Sequence, residues 1–420
     1  MPPGRVPVGG GLPRPSHTPY LWAVNSVQPA PGSQASLRES NRLRVLDALR
    51  QHGAMTQVEL AGLTGLSPAT VSNMVKELDA AGAVELSPSI RNGRRAVLVS
   101  LATGNTLLAG IAFGDRDVRV AVGPSPREIL WQQRMPLPAH HHADEGMERA
   151  ARLLHDLVEK AGKTMPDVKA VCVGLPAPVD SVSGQVGSES VLPGWRGVAV
   201  AEEMEGHLRA PVVLDNTANL AALGELKAGA LQGTQHGVYI KLSYGVGAGL
   251  ILNGELYRGS AGTAGEIGHL TIDENGPVCR CGNRGCLETY IGYQALLDAL
   301  RPTHGVLPLR DVISRAIAGD PGCRRVLGDA GRHLGVALAG LVNLVNPEVV
   351  VVGGQLSKVG AVIIEPMLTA LERCAIPSAA ASVTLRPAEL DADADVIGAL
   401  VTAEARHLAD SPVGLAAITS

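Results

Sequence analysis

Two neighbouring segments decide how this chain is read: residues 245–269, GVGAGLILNGELYRGSAGTAGEIGH, and residues 279–288, CRCGNRGCLE. The second holds three of the chain's six cysteines, Cys279, Cys281 and Cys286, in a C-x-C-x4-C spacing. Gly282 and Gly285 allow the tight turns that let such a loop fold around a small ion. Tetrahedral zinc needs a fourth ligand, and His269 stands a short loop upstream. These residues predict one structural zinc ion (Zn2+) per chain, held by His269, Cys279, Cys281 and Cys286. Four protein ligands leave no open position for a reacting water, so the ion braces a loop and does no chemistry. Thiols clustered in this way do not form a secreted disulfide framework, which points to a reducing cytoplasm.

On either side of these segments the chain from about Thr106 is Gly-rich and β-branched. LLAGIAF, VRVAV, VKAVCVGL, PVVLD, GVYIKLS, GAGLILNG and EVVVVGG read as strands, whereas MERAARLLHDLVEKAG and GRHLGVALAGLVNLVN read as helices. The alternation predicts an α/β fold. Glycine-edged strand ends recur at KLSYGVGAGL and VVVVGGQLS, as expected of two lobes with a phosphate or nucleotide cleft between them. The run His140-His141-His142 lies in a Pro/Ala-rich stretch and reads as a solvated loop.

Toward the N-terminus the composition changes twice. Residues 1–36 are dominated by Pro and Gly and read as a disordered tail without a signal-peptide core. Residues 37–101 read as three short helices and a hairpin. Leu43, Val45, Leu46 and Leu49 form the apolar stripe of the first helix, Thr56 caps the second, and Ser67-Pro68 opens the third. A hairpin follows, turning near Asn92-Gly93, with Arg91, Arg94 and Arg95 at its tip. This is a winged helix-turn-helix. Ser67, Ala69, Thr70, Ser72 and Asn73, all short and all but Ala69 polar, with Lys76, are placed at the third helix to meet DNA, and the wing arginines to enter a minor groove or grip phosphate. A formal net charge of −4 gives no global sign of nucleic-acid binding, so that function must be local to this head. No apolar stretch approaches the roughly 20 residues needed to span a membrane.

A winged helix-turn-helix followed by these two segments resembles the ROK family, which groups bacterial transcriptional regulators with sugar kinases. The resemblance implies an actin-like, ribonuclease-H-like two-lobed sugar-kinase fold over residues 106–410, serving effector binding and dimerisation. It implies a sugar pocket made by Asn216, Glu266, His269 and Glu288, beside the zinc loop. One position departs from the pattern: the Asn expected before Leu-Pro-Gly-Trp is Val191.

The kinase machinery departs further. Family kinases place a catalytic Asp within Asn-Asp-Ala-Asn, and this chain has Thr217 there, a hydroxyl that cannot take up a proton near neutral pH. Ala112 and Asp115-Arg116 interrupt the first phosphate loop and Ser243-Tyr244 the second, while the adenosine-side VVGGQLS is nearly intact, with Gln355 for a glycine. The expectation is a cytoplasmic DNA-binding regulator of repressor type, homodimeric or a dimer of dimers. Its partners are operator DNA and a sugar or sugar-derivative effector, with no catalysis of its own. The alternatives are an active ATP-dependent hexose kinase that also binds DNA, and a DNA-binding protein with no ligand.

Overall fold

The structure, a computed structural model, describes residues 38, 41–42, 44–46, 48–49, 52–80, 83–91, 94–101, 106–138, 141–180, 184–187 and 192–410. The expectations placed on residues 1–36, Leu43, Asn92-Gly93, His140 and Val191 lie outside the described residues.

In the head, the described residues between 38 and 52 are helical (α1). A short strand β1 (Met55–Thr56), helices α2 (Gln57–Thr64) and α3 (Pro68–Ala80), and strands β2 (Val84–Arg91) and β3 (Arg94–Leu101) follow. The strands form an antiparallel sheet in the order β1-β3-β2. Thr56 makes a reciprocal capping box with Glu59: Thr56 N–H donates to Glu59 Oε2 at 2.8 Å and Glu59 N–H to Thr56 Oγ1 at 3.3 Å. The Ser67 hydroxyl accepts from Thr70 N–H at 3.1 Å, which caps α3 one residue ahead of Pro68. Val71, Met74, Val75 and Leu78 of α3 pack with Val45, Leu46, Leu49, Leu60, Val84 and Val99 in a core that belongs to the head alone. Each such aliphatic side chain contributes about 1.5–3 kcal/mol when fully buried.

The remaining chain repeats one sheet topology twice. The first sheet contains β4 (Leu107–Phe113), β5 (Asp117–Gly123), β6 (Trp131–Pro136), β7 (Val168–Leu175) and β8 (Val212–Asn216), in the order β6-β5-β4-β7-β8. The second contains β9 (Gly237–Leu242), β10 (Val246–Leu252), β11 (Glu255–Tyr257), β12 (Val349–Gly353) and β13 (Thr384–Pro387), in the order β11-β10-β9-β12-β13. In both, the first three strands form an antiparallel meander and the last two add in parallel on the other side. This duplicated five-stranded unit is the actin-like arrangement expected from the resemblance.

Helices cover the sheets. The apolar faces of α4 (Ala143–Lys160) and α5 (Val200–Leu208) bury against the first sheet. From β8 the chain enters α6 (Thr217–Ala228) and crosses into the second lobe. There α7 (Glu288–Ile291), α8 (Tyr293–His304), α9 (Leu309–Ile317) and α10 (Pro321–Val345) separate β11 from β12, while α11 (Ala361–Cys374) and α12 (Pro377–Ser382) lead into β13. The last helix, α13 (Ala394–Asp410), returns to the first lobe. Its Val396, Ala399, Leu400 and Ala403 pack on Leu108, Ala112, Ala121, Ala170 and Cys172 of the first sheet and on Leu220 of α6. The α6–α13 approach depends on glycine, because a methyl group on Gly398 would be driven into the Leu220 carbonyl.

Two sequence expectations are corrected here. The helix expected over GRHLGVALAGLVNLVN begins earlier, at Pro321, where the Asp320 carboxylate accepts from Cys323 N–H at 2.8 Å. Polar Arg324, Arg325 and Asp329 hide that first part from an apolar-run reading. The second correction concerns His141, which is not solvated but 2% exposed. Its ring lies 5.6 Å from that of Trp195 and 6.4 Å from that of Phe113, contacts between segments distant in sequence that a local polar pattern does not announce. Burial lowers its pKa below the usual 6.5, an effect partly opposed by the Pro138 carbonyl 3.2 Å from Nδ1.

Below about pH 6.5 the unfolded chain takes up a proton at His141 that the folded chain refuses, so stability falls with falling pH until the lower folded pKa is reached. His141→Gln is expected to remove this component, which amounts to at most about 1.4 kcal/mol per pH unit. Urea unfolding of the two proteins from pH 8 to pH 5 checks it; identical pH slopes would contradict it.

Candidate functional site

A cleft of about 830 Å³ is lined by both lobes. Its lining includes Asn216, Glu266, His269 and Glu288, which come from three separate segments of the chain. Asn216 ends β8 and caps α6, its Oδ1 accepting from Ala218 N–H at 2.7 Å. Its Nδ2 donates to Glu266 Oε1 at 3.3 Å and to the Ala177 carbonyl at 3.0 Å. Glu288 opens α7 and pairs with Arg280. Burial raises the Glu288 pKa, with Arg280 opposing the shift. Amide, carboxylates and imidazole together offer donors and acceptors suited to vicinal hydroxyls.

His269 also belongs to a second group. The ligand atoms of His269, Cys279, Cys281 and Cys286 all lie within 4.8 Å of one another, so these four residues could hold a metal ion. Cys279 Sγ is 3.5 Å from His269 Nδ1, and Cys281 Sγ is 3.7 Å from Cys286 Sγ. Backbone hydrogen bonds shape the loop: Cys279 N–H to Asn283 O at 2.7 Å, Ile272 N–H to Gly285 O at 2.8 Å, and Leu287 N–H to Leu270 O at 2.8 Å. Gly282 and Gly285 take φ values of 90° and 59°, the left-handed region, and a side chain on Gly285 would strike the Asp273 carbonyl. Burial, with its thiol neighbours adding to the effect, pushes the Cys286 thiol up to about 12. Three converging sulfurs and a ring nitrogen form a donor set that fits a borderline-soft ion, with Cys279 and Cys286 buried and His269 and Cys281 half-buried in a loop that is otherwise largely exposed.

Thr217 is the first residue of α6, buried at 2% exposure. The neighbouring carboxylate, Asp215, is engaged elsewhere: Arg258 Nε donates to its Oδ2 at 2.9 Å and Asn219 Nδ2 to its Oδ1 at 2.9 Å. The loops read as phosphate-binding remnants face each other across the cleft. The Arg116 guanidinium sits 6.0 Å from the centroid of the Tyr244 ring, which packs edge-on against Tyr293 at 4.8 Å. Gln355 N–H donates to the Ser243 hydroxyl at 3.4 Å.

Sequence reasoning missed a buried ionic group in the same cleft, formed by Arg119 on β5, Lys241 on β9 and Asp395 in the first turn of α13. The available signal was a lone charge inside an apolar strand, in VRVAV and again in VYIKL.

In the head, Ala69 and Asn73 are exposed together with Lys76 on α3, while Ser67 is exposed at its cap and Thr70 and Ser72 are half-buried. Ala69, Asn73 and Lys76 share the side of α3 opposite its buried stripe, with Thr70 and Ser72 on its two flanks. Arg91 pairs with Arg94 across the β2–β3 hairpin, with Arg95 opposite Ile90; the side chains of the three arginines lie outside the described residues.

The ROK family profile matches residues 108–406, and a MarR family profile matches residues 39–95. The chain belongs to the ROK family. Among its relatives, the xylose repressor of Caldicellulosiruptor bescii is 30% identical over 357 residues, covering 80% of this chain and 88% of that protein. A glucokinase of Halalkalibacterium halodurans is 33% identical over 307 residues, covering 69% of this chain and 92% of that one. The crystal structure of a ROK family transcriptional regulator, a homologue of the E. coli MLC protein, superimposes with a TM-score of 0.74 at 24% identity. It covers 91% of this chain and all of that chain, which extends the likeness in fold through the head. No helix among the described residues is long and apolar enough to cross a membrane.

Proposed function

We propose that this ROK protein is a sugar-responsive, DNA-binding transcriptional regulator of repressor type that does not phosphorylate its effector. One observation carries the reading. In a single chain, a capped helix with an exposed polar face is joined to a cleft that keeps Asn216, Glu266, His269 and Glu288 but has buried Thr217 where a kinase needs a base. A threonine hydroxyl does not accept a proton near neutral pH, and Asp215 is held by Arg258 and Asn219. The glucokinase relative supports the competing reading, an ATP-dependent hexose kinase that also binds DNA; the missing base speaks against it.

In this reading Ser67, Ala69, Thr70, Ser72, Asn73 and Lys76 face the major groove, and Arg91, Arg94 and Arg95 grip the backbone or minor groove. The head spans residues 37–101 and the effector and dimerisation domain residues 106–410. A two-fold dimer, or a dimer of dimers, presents two heads to two half-sites. The effector changes operator affinity because it binds the two arrangements of the protein unequally. Zinc, one ion per chain on His269, Cys279, Cys281 and Cys286, fixes the loop that carries His269 to the pocket. The protein acts in the cytoplasm.

Operator binding tests the reading. Asn73→Ala is expected to cost about 1–3 kcal/mol and to relax preference at one base pair. Arg94→Ala is expected to weaken all sites evenly and to flatten the salt dependence. Fluorescence anisotropy against a genome-derived operator and single-base variants measures both. Undiminished operator affinity in a chain lacking residues 37–101 would overturn the assignment.

A further inference from the structure

Asp395 is the second residue of α13 and only 2% exposed. Its Oδ1 lies 2.9 Å from Arg119 Nη1, and its Oδ2 accepts from Arg119 Nη2 at 2.9 Å and from Lys241 Nζ at 2.8 Å. Arg119 belongs to the first lobe and Lys241 to the second, and all three residues line the cleft. The Arg119 Nε is buried without a hydrogen-bond partner among the described residues. Converging cations at the first turn of a long helix form a phosphate-binding arrangement. Here the anion between them is a carboxylate of the chain itself. Two further ion pairs line the cleft, Asp117 with Arg134 and Asp391 with Lys358 at 2.9 Å, but their cations are exposed to solvent, and only the Asp395 group is buried.

We propose that Asp395 is a specificity determinant that closes this half of the cleft to nucleotides and other phosphate esters by occupying, between Arg119 and Lys241, the place a phosphate group would take. The inference rests on the regulator reading in one respect: the cleft's remaining task is effector binding. Burial by itself would raise the Asp395 pKa, but Arg119 and Lys241 outweigh it and hold the carboxyl below its ordinary value. At neutral pH the internal anion is therefore always in place. A phosphate from solution must displace a tethered group and also give up its own translational freedom, so it does not compete.

The test uses the full chain with sodium pyrophosphate as probe, against sodium chloride of equal ionic strength, read by calorimetric titration and thermal unfolding. The unmodified protein is expected to show no saturable binding. Asp395→Gly and Asp395→Asn are expected to bind pyrophosphate saturably, with a Kd about tenfold or more below the highest concentration at which the unmodified protein shows no binding, and to unfold at higher temperature in its presence. Adding Lys241→Met to Asp395→Gly is expected to abolish the gain. If the variants do not fold in chloride, refolding is compared in the two salts: recovery confined to pyrophosphate supports the proposal, and equal failure overturns it. Variants that bind no better than the unmodified protein would also overturn it, leaving Asp395 a plain tie between lobes. Pyrophosphate binding by the unmodified protein would do the same. Operator binding in the same samples separates the two readings, because its absence would sink the regulator and leave the anion result standing.

Discussion

Cys286→Ser is expected to release the bound zinc and to melt the second lobe well below the temperature at which the unmodified protein unfolds, while the head stays folded. Cys286 is fully buried, and its thiol lies within 4.8 Å of the donor atoms of His269, Cys279 and Cys281, a group that could hold a metal ion. Where metal binding and folding coincide completely, a structural zinc is worth roughly 10–16 kcal/mol of apparent binding free energy. The loop here already has its own backbone hydrogen bonds, such as Gly282 N–H to Cys279 O at 2.9 Å. Only part of the binding energy is then needed for folding, and the expected loss is several kcal/mol. Elemental analysis should find one zinc per chain before the substitution and none after it, and calorimetry should show a lowered transition beside an unchanged one. The effector response should also weaken, because His269 serves both the loop and the cleft. Full zinc content or an unshifted transition in the variant would contradict the four-ligand assignment.

Asp215→Ala is expected to cost about 3–5 kcal/mol, because it removes one partner of a buried pair and leaves the other charge behind. Asp215 is 4% exposed and Arg258 23% exposed at their side chains, and the carboxylate also holds Asn219 Nδ2 and the Asn216 N–H at 2.8 Å. Removing it unseats the backbone from which Asn216 reaches the pocket, so effector affinity should fall along with stability. Pairing the substitution with Arg258→Met separates the two effects: most of the stability should return, since no unpaired charge remains, while effector affinity should not. Urea unfolding and calorimetric titration of the single and double variants measure this. A stability loss below about 1 kcal/mol, the range of exposed pairs, would show that the pair is effectively solvated.

The features readable from the sequence were those whose signal is local. Ser67 and Pro68 announce α3 because a cap and a fixed φ act within one turn. The strands LLAGIAF and VKAVCVGL coincide with β4 and β7 because fully buried parallel neighbours require continuous apolar runs. The clustering of His269, Cys279, Cys281 and Cys286 into a group that could hold a metal was legible because these residues are close together in the chain. The edge strands β6, β11 and β13 were missed, since Trp131–Pro136 is half polar and mostly exposed, and Glu255–Tyr257 and Thr384–Pro387 are only three and four residues long. His141 was misread because its partners, Phe113 and Trp195, come from other elements. Arg119, Lys241 and Asp395 are single charges from three distant elements, and only the closing of two lobes makes them one group.

The return of α13 to the first lobe sets an order on the birth of the molecule. A ribosome releases the head first, and its core draws on nothing beyond Val99, so it can fold as soon as it emerges. The sheet made by β4, β5, β7 and β8 stays uncovered on one face until residues 394–410 arrive. At roughly 5–20 residues per second, the wait from the end of β8 at Asn216 to the end of α13 at Asp410 lasts on the order of 10–40 s. During synthesis the nascent chain therefore carries a folded DNA reader attached to an unfinished sensor. A truncated product lacking α13 should keep the reader while leaving the apolar face of the first sheet open to aggregation and to chaperones.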